Sequence, residues 1–397
     1  MKHMTGKERM KIALTGGTPD RVPVAPDFSC MIPCRLTGKK FWDVLLYGAP
    51  PIWDAYMQAC EHFGTEAWAI YGDLMPSYAS PLIHTDSVGT QGERMFRHRV
   101  THTPAGDLAM TEIYPPADAA TWTEKIIKDI KADMPKLRHY YSEVTGYELS
   151  QIKTLRSAVG DKGLWGVAVA TPGLQYWMNY FEGSLEAATY AMMDEPELFE
   201  ELCCLLERQQ QQLVEICCAE GIESILTGGS GSITLQSPDI WRHLCLPAIQ
   251  KQTKICRQAG VISGIHSCGK EKYIVETCAN ETDLDYINPL EIMPMGDCEL
   301  AQCKKLAKGK LALMGNLHTT NVMLLGSVEQ VRLAALCAIR DAGENGGFVL
   351  STGDQCGRDT PDENILELVR VAEEFGYYPL NMDKICCEIE RLEKCLN

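Results

Sequence analysis

The sequence predicts an α/β protein built as a closed (β/α)8 barrel, and three observations carry that prediction. Eight short apolar, β-branched or aromatic runs recur along the chain and end on turn-forming or polar residues. Segments of helical periodicity lie between most of them, which is the pattern of βαβ units on a parallel sheet. Polar and glycine residues collect just after the runs, at the strand ends where such TIM barrels build their sites.

Taken in order, residues 22–28 and 67–71 read as the first two strands. The stretch from about 77 to 160 then breaks the rhythm. Residues 100–103 and 110–113 alternate around Pro104-Ala105-Gly106-Asp107, the mark of a β-hairpin or a small sheet. Residues 122–159 read as largely helical and charged. The whole stretch is expected as an excursion inserted between strands 2 and 3, so that 1–397 forms a single domain. Strands three to eight are expected at 164–170, 224–227, 261–266, 284–288, 311–314 and 348–351. Of the helices between them, 196–220 has a cap candidate in Asp194. Ser237-Pro238-Asp239 opens another, with Ser as cap and Pro in the first turn. Residues 327–342 and 360–375 repeat the pattern, and Thr360-Pro361-Asp362-Glu363 combines cap, Pro and capping-box acid.

Composition narrows the function. With 45% hydrophobic residues the chain can bury a full core. A formal net charge of −16 and the lack of a basic run argue against nucleic acid. No apolar stretch approaches the roughly 18 uninterrupted residues of a membrane span. The start, 1–11, mixes Lys, Glu and Met without the apolar core of a signal peptide. Eighteen cysteines in such a chain are expected in a reducing, anaerobic cytoplasm rather than in disulfides. The pairs Cys203-Cys204, Cys217-Cys218 and Cys386-Cys387 read as core or half-buried thiols, because adjacent helical residues point in different directions.

The chemistry is expected at His266-Ser267-Cys268-Gly269, after the fifth strand, and Asp354-Gln355-Cys356-Gly357, after the eighth. An imidazole and a thiolate from one strand end and a second thiolate from another suit zinc with a coordination position left open. The plainer alternative makes Cys268 and Cys356 buried thiols and His266 a satisfied polar residue. Gly72-Asp73, Gly228-Gly229-Ser230-Gly231, Asn288-Pro289-Leu290-Glu291 and Gly315-Asn316-Leu317 close other strands on the same rim. Glu291 is the leading candidate for a fourth ligand; an outward carboxylate or a helix cap is its bland alternative. Asp354 and Asp73 are rivals, since either could orient His266 from behind. Asn316 completes the set of candidate catalytic side chains.

These residues carry a resemblance. Over nearly its full length the chain resembles the uroporphyrinogen decarboxylase superfamily, through Asp20-Arg21-Val22-Pro23-Val24, Ser237-Pro238, Gly315-Asn316-Leu317 and 361–364. His266-x-Cys268 with Cys356 resembles the zinc methyltransferase branch, which serves corrinoid-dependent methyl transfer. The order H-x-C, Glu, Cys is also similar to the zinc site of cobalamin-independent methionine synthase, where Glu follows Cys by a little over twenty residues. Here Glu291 follows Cys268 by 23. True decarboxylases are less similar: their Arg-rich M-R-Q-A-G-R motif is replaced by Phe28-Ser29-Cys30-Met31-Ile32-Pro33-Cys34-Arg35.

The resemblance implies one zinc ion per chain and a corrinoid supplied by a partner protein, since no D-x-H-x-x-G pattern is present to bind one. The excursion at 77–160 and the aromatics Phe28, Phe41, Trp42, Tyr71, Tyr78, Tyr176, Trp177 and Tyr180 favour an O-methyl donor such as a methoxylated aromatic. The expected reaction is therefore O-demethylation into the corrinoid. Methyl transfer from a methylcorrinoid to a thiol or folate is the main alternative, ahead of tetrapyrrole decarboxylation and of a non-catalytic corrinoid- or metal-binding role.

Overall fold

A computed structural model describes residues 3–396. The outermost residues of the expected 1–397 unit, including the first two of the 1–11 stretch, lie outside it. Seven strands form one parallel sheet: Ala67–Gly72, Gly163–Ala168, Ser224–Gly228, Ile262–His266, Tyr286–Asn288, Ala312–Leu317 and Phe348–Thr352. Each pairs in parallel with the next in chain order. Helices such as Pro196–Ala219, Leu246–Ala259 and Val328–Ala342 make the crossovers.

The expected first strand is the irregular stave that closes the barrel. It forms only isolated bridges, Val24 to Leu350 among them. Pro23 and Pro26 bring no N–H to a ladder, so regular pairing cannot run through them. What remains still joins both edges of the sheet. Ala25 N–H donates to Leu350 O at 3.0 Å, Leu350 N–H to Pro23 O at 2.9 Å and Glu66 N–H to Val24 O at 2.9 Å.

Side chains alternate along these strands and fill the barrel in layers. Trp68, Leu164, Ile262, Tyr286, Ala312 and Val349 form an apolar cluster, which Met10, Ala13 and Leu14 of the helix Gly6–Leu14 close from below. Trp68 Nε1–H donates to the Tyr286 hydroxyl at 2.9 Å. Gly264 leaves the room this ring needs, since a Cβ there would lie 2.1 Å from Tyr286 Cζ. Two residues further along, the same inward face presents His266 and Asn288.

The excursion lies between Ala67–Gly72 and Gly163–Ala168, as expected, and of the two forms expected for it takes the small sheet. Arg94–Thr103 and Gly106–Tyr114 form the hairpin, and Ile83–Gln91 and Thr121–Glu124 flank it in a four-stranded antiparallel sheet. The helices Ile130–Tyr140 and Ser150–Val159 return the chain to the barrel.

Ser237 caps its helix through Ile240 N–H at 3.2 Å, and Ser327 with Gln330 makes a full capping box. Two expected caps are corrected. Asp194 closes the preceding helix Ser184–Asp194, and Glu195 stands at the cap of Pro196–Ala219 without a side-chain bond. Pro361 stands at the cap of Asp362–Phe375, and the Thr360 hydroxyl is buried without a partner. Of the adjacent cysteines expected as core or half-buried thiols, Cys203 and Cys217 are buried and Cys218 half-buried, but Cys204 is exposed, and Cys386 and Cys387 both lie exposed on the last helix, Met382–Leu396. Among the described residues no helix is long and apolar enough to cross a membrane.

Candidate metal centre

His266 ends the strand Ile262–His266, and the chain turns at once so that Cys268 folds back beside it. Nε2 of His266 lies 3.0 Å from Cys268 Sγ. From the turn after Phe348–Thr352, Asp354 brings an Oδ1 to 4.0 Å from the same nitrogen. One ligand atom from each of these three residues lies within 4.8 Å of the other two. Asp354 reaches this place with φ at +104°, a backbone region costly for a residue with a Cβ.

The glycine-rich turn after Ser224–Gly228 forms a second wall. Gly229 N–H donates to His266 O at 2.8 Å and Gly231 N–H to Cys268 O at 3.0 Å. Gly228, at φ +92°, allows this approach, because a Cβ would lie 2.5 Å from Ile265 and 2.6 Å from His266 O. Ser230 Oγ accepts from the Cys268 thiol at 3.1 Å and lies 3.3 Å from His266 Nε2. Burial first, and then the Asp354 charge, push the Cys268 thiol far above its ordinary range.

Glu291 reaches the same space from the loop after Tyr286–Asn288. Its Oε2 accepts from Gly269 N–H at 2.5 Å. Burial raises its carboxyl, the Gly269 bond opposes this, and Asp354 adds to the rise. Glu291, Cys268 and Asp354 all line a cavity of about 550 Å³. Its other walls include Gln175, Tyr176, Met178, Asn179, Leu235 and Met295. No Lys or Arg is among the described residues that line it. Tyr176 stacks on Tyr180, with ring centroids 4.6 Å apart.

The remaining expected site residues lie at different distances from this centre. Cys356 follows Asp354 on the same turn but is not one of the three gathered residues. It is fully buried, its N–H donates to Asp27 O at 2.7 Å, and burial pushes its thiol up to about 12. Asn316 Nδ2 donates to Leu290 O at 3.1 Å and Cys298 O at 3.4 Å, so it anchors the loop that carries Glu291. Asp73 is not brought to His266. It lines a separate cavity of about 940 Å³ with Tyr71, Tyr78, His84 and Arg99, and its carboxylate accepts from Met75 N–H at 2.8 Å. Of the expected aromatics, Phe28, Phe41 and Trp177 are buried in the core.

Sequence reading missed Asp27. It stands at the end of the first stave, where Thr352 Oγ1 accepts from its N–H at 3.0 Å. Burial raises its carboxyl, and the nearby His266 opposes that rise. Its signal was its place: a carboxylate closing the first apolar run, on the same rim as the other candidates.

The family model for uroporphyrinogen decarboxylase matches residues 102–375. The fold is similar to that of a methyltransferase from Methanosarcina mazei, with a TM-score of 0.65 and 17% identity, over 94% of this chain and 99% of that one. It is also similar to a B12-independent methionine synthase from Shewanella sp. W3-18-1, with a TM-score of 0.47 and 11% identity, over 89% of this chain and 97% of that one. At these identities the likeness is one of fold. No curated protein sequence matches the chain.

Proposed function

The chain belongs to the uroporphyrinogen decarboxylase family, and on that premise we propose that it is a zinc-dependent methyltransferase. Its substrates in this reading are an O-methyl donor, a methoxylated aromatic compound, and the corrinoid of a partner protein. The observation that carries the reading is the meeting of His266, Cys268 and Asp354 at an open cavity.

The donor atoms fit zinc in kind and in spacing. Thiolate, imidazole and carboxylate are its ordinary ligands. A tetrahedral ion with bonds of about 2.0–2.3 Å keeps its ligand atoms roughly 3.3–3.8 Å apart. The distances from His266 Nε2, 3.0 Å to Cys268 and 4.0 Å to Asp354, bracket that range. We assign His266, Cys268 and Cys356 as ligands and Glu291 as the fourth, loosened by substrate. Asp354, which the fold gathers with His266 and Cys268, is the rival to Cys356 for the third place. When bound, the ion would supply Lewis acidity to the ether oxygen as the methyl group leaves.

The chain's own residues supply the rest. Tyr176, Met178, Leu235 and Met295 give an apolar wall suited to an aromatic ring, and Gln175 and Asn179 offer polar edges. The lack of Lys and Arg on that wall speaks against a polycarboxylate substrate such as a tetrapyrrole. Arg35, the one arginine where decarboxylases carry several, is paired with Asp362 at 2.5 Å. The methyltransferase from Methanosarcina mazei, similar in fold along almost its whole length, supports methyl transfer as the reaction class.

The test is incubation of the zinc-loaded protein with a methoxylated aromatic and cob(I)alamin, followed by the visible spectrum. Methylcobalamin and the free phenol should appear together, faster for more acidic phenols. If no ether reacts while methylcobalamin loses its methyl group to an added thiol or folate, the acceptor-side reaction replaces this reading.

A further inference from the structure

Asn288 stands directly opposite His266 in the parallel pairing of their strands. Its backbone carbonyl accepts from Ser267 N–H at 2.9 Å, so its place beside the metal-binding turn is fixed by the sheet. The side chain is only 1% exposed. Its Nδ2 lies 3.2 Å from His266 Nδ1, while its Oδ1 is buried without a hydrogen-bond partner. A buried amide oxygen left unpaired is destabilising, so this group calls for an explanation.

The two ends of an amide have almost the same shape, and the histidine tautomer decides which end can face it. As the side chains stand, the amide N–H donates to the lone pair of Nδ1. The imidazole proton then sits on Nε2, the nitrogen that faces Cys268 and Ser230. That tautomer has no lone pair to offer from Nε2. With the amide turned over, Oδ1 accepts from a proton on Nδ1, and Nε2 presents its lone pair to the cluster. The turn needs only rotation about the last side-chain bond.

We infer that Asn288 is a positioning residue: with its carbonyl toward Nδ1, its amide holds His266 in the tautomer that coordinates a metal through Nε2. This rests on the metal reading above and adds to it the residue that makes His266 a ligand. Partners of this kind, behind a histidine ligand, are typically worth about 10–100-fold in metal affinity.

Zinc affinity by chelator competition tests it on wild type, Asn288→Ala and Asn288→Asp, with thermal unfolding of the metal-free forms alongside. Asn288→Ala should weaken zinc about 10–100-fold. Asn288→Asp can only accept, so it should hold zinc at least as tightly as wild type although its metal-free form is less stable. A mere packing role would instead make affinity follow stability, with the buried charge worst. Asn288→Ala within threefold of wild type, or Asn288→Asp as weak as Asn288→Ala, would overturn the inference and leave the metal reading standing. A wild type that binds no zinc would overturn both. Nitrogen-15 NMR of the zinc-loaded wild type needs no variant to fold: a proton on His266 Nδ1 is expected, and a proton on Nε2 rules the inference out.

Discussion

The two ends of the barrel interior are built from the same strands and obey different rules. At the bottom, Trp68, Leu164, Ile262, Tyr286 and Val349 pack against the first helix, and the Trp68 indole and Tyr286 hydroxyl satisfy each other. At the top, further along the same strands, His266 and Asn288 take the inward-facing places that Ile262 and Tyr286 hold below. There a carboxylate sits at φ +104°, an amide oxygen is orphaned and thiols are pushed far above their ordinary range. A step of two to four residues along a strand thus separates the end that holds the fold from the end that breaks local rules. Such violations gather at functional sites in barrels of this kind.

That contrast can be broken most sharply from below. Tyr286→Ala should cost about 3–5 kcal/mol of stability, as loss of a large core aromatic does, while the folded fraction still binds zinc. Denaturant unfolding and metal analysis of the same sample check both halves. From above, Cys268→Ala should do the reverse. Zinc affinity should fall at least ~100-fold with the loss of a ligand, and metal-free stability should change by less than about 1 kcal/mol. A variant that loses both together would erase the distinction.

A pH scan sharpens it further. Burial alone would raise the Asp20 carboxyl, but hydrogen bonds from Arg9 and from the backbone of Met4 and Arg21 hold it down at about 2. A carboxyl lowered on folding stabilises fully above its ordinary range and loses that contribution as pH falls toward its folded value. Stability should therefore decline between about pH 4 and 2, less steeply in Asp20→Asn. The smallest effect is expected from Glu291→Gln. It keeps the shape of the side chain and an acceptor for Gly269 N–H, so zinc should weaken by less than about tenfold. Unchanged affinity and an unchanged X-ray absorption spectrum would reduce Glu291 to a loop tether.

Much of this was legible in the sequence because burial on both faces leaves a plain mark. The runs at 224–227, 261–266 and 348–351 carry short apolar and β-branched stretches without a charged residue and became strands where expected. The edges of legibility have physical causes. Ile83–Gln91 reads HTDSVGT inside and is mostly exposed, so no apolar alternation announced it. The Asp194 and Thr360 caps failed because short-range cap chemistry yielded to the neighbouring helix and to Pro361. At the site, His266 and Cys268 could be named from a two-residue spacing on one strand end. Asp354 was expected as a partner that orients His266; its gathering with His266 and Cys268, and the contact of Asn288 with His266, depend on sheet register between separate segments, which no local pattern encodes.

X-ray absorption at the zinc edge of the purified protein tests the central claim most directly. The account predicts about one zinc per chain, with sulfur at about 2.3 Å and nitrogen or oxygen at about 2.0–2.1 Å in its first shell. Cys268→Ala should remove sulfur from that shell. Absence of bound zinc, or a shell without sulfur, would contradict it.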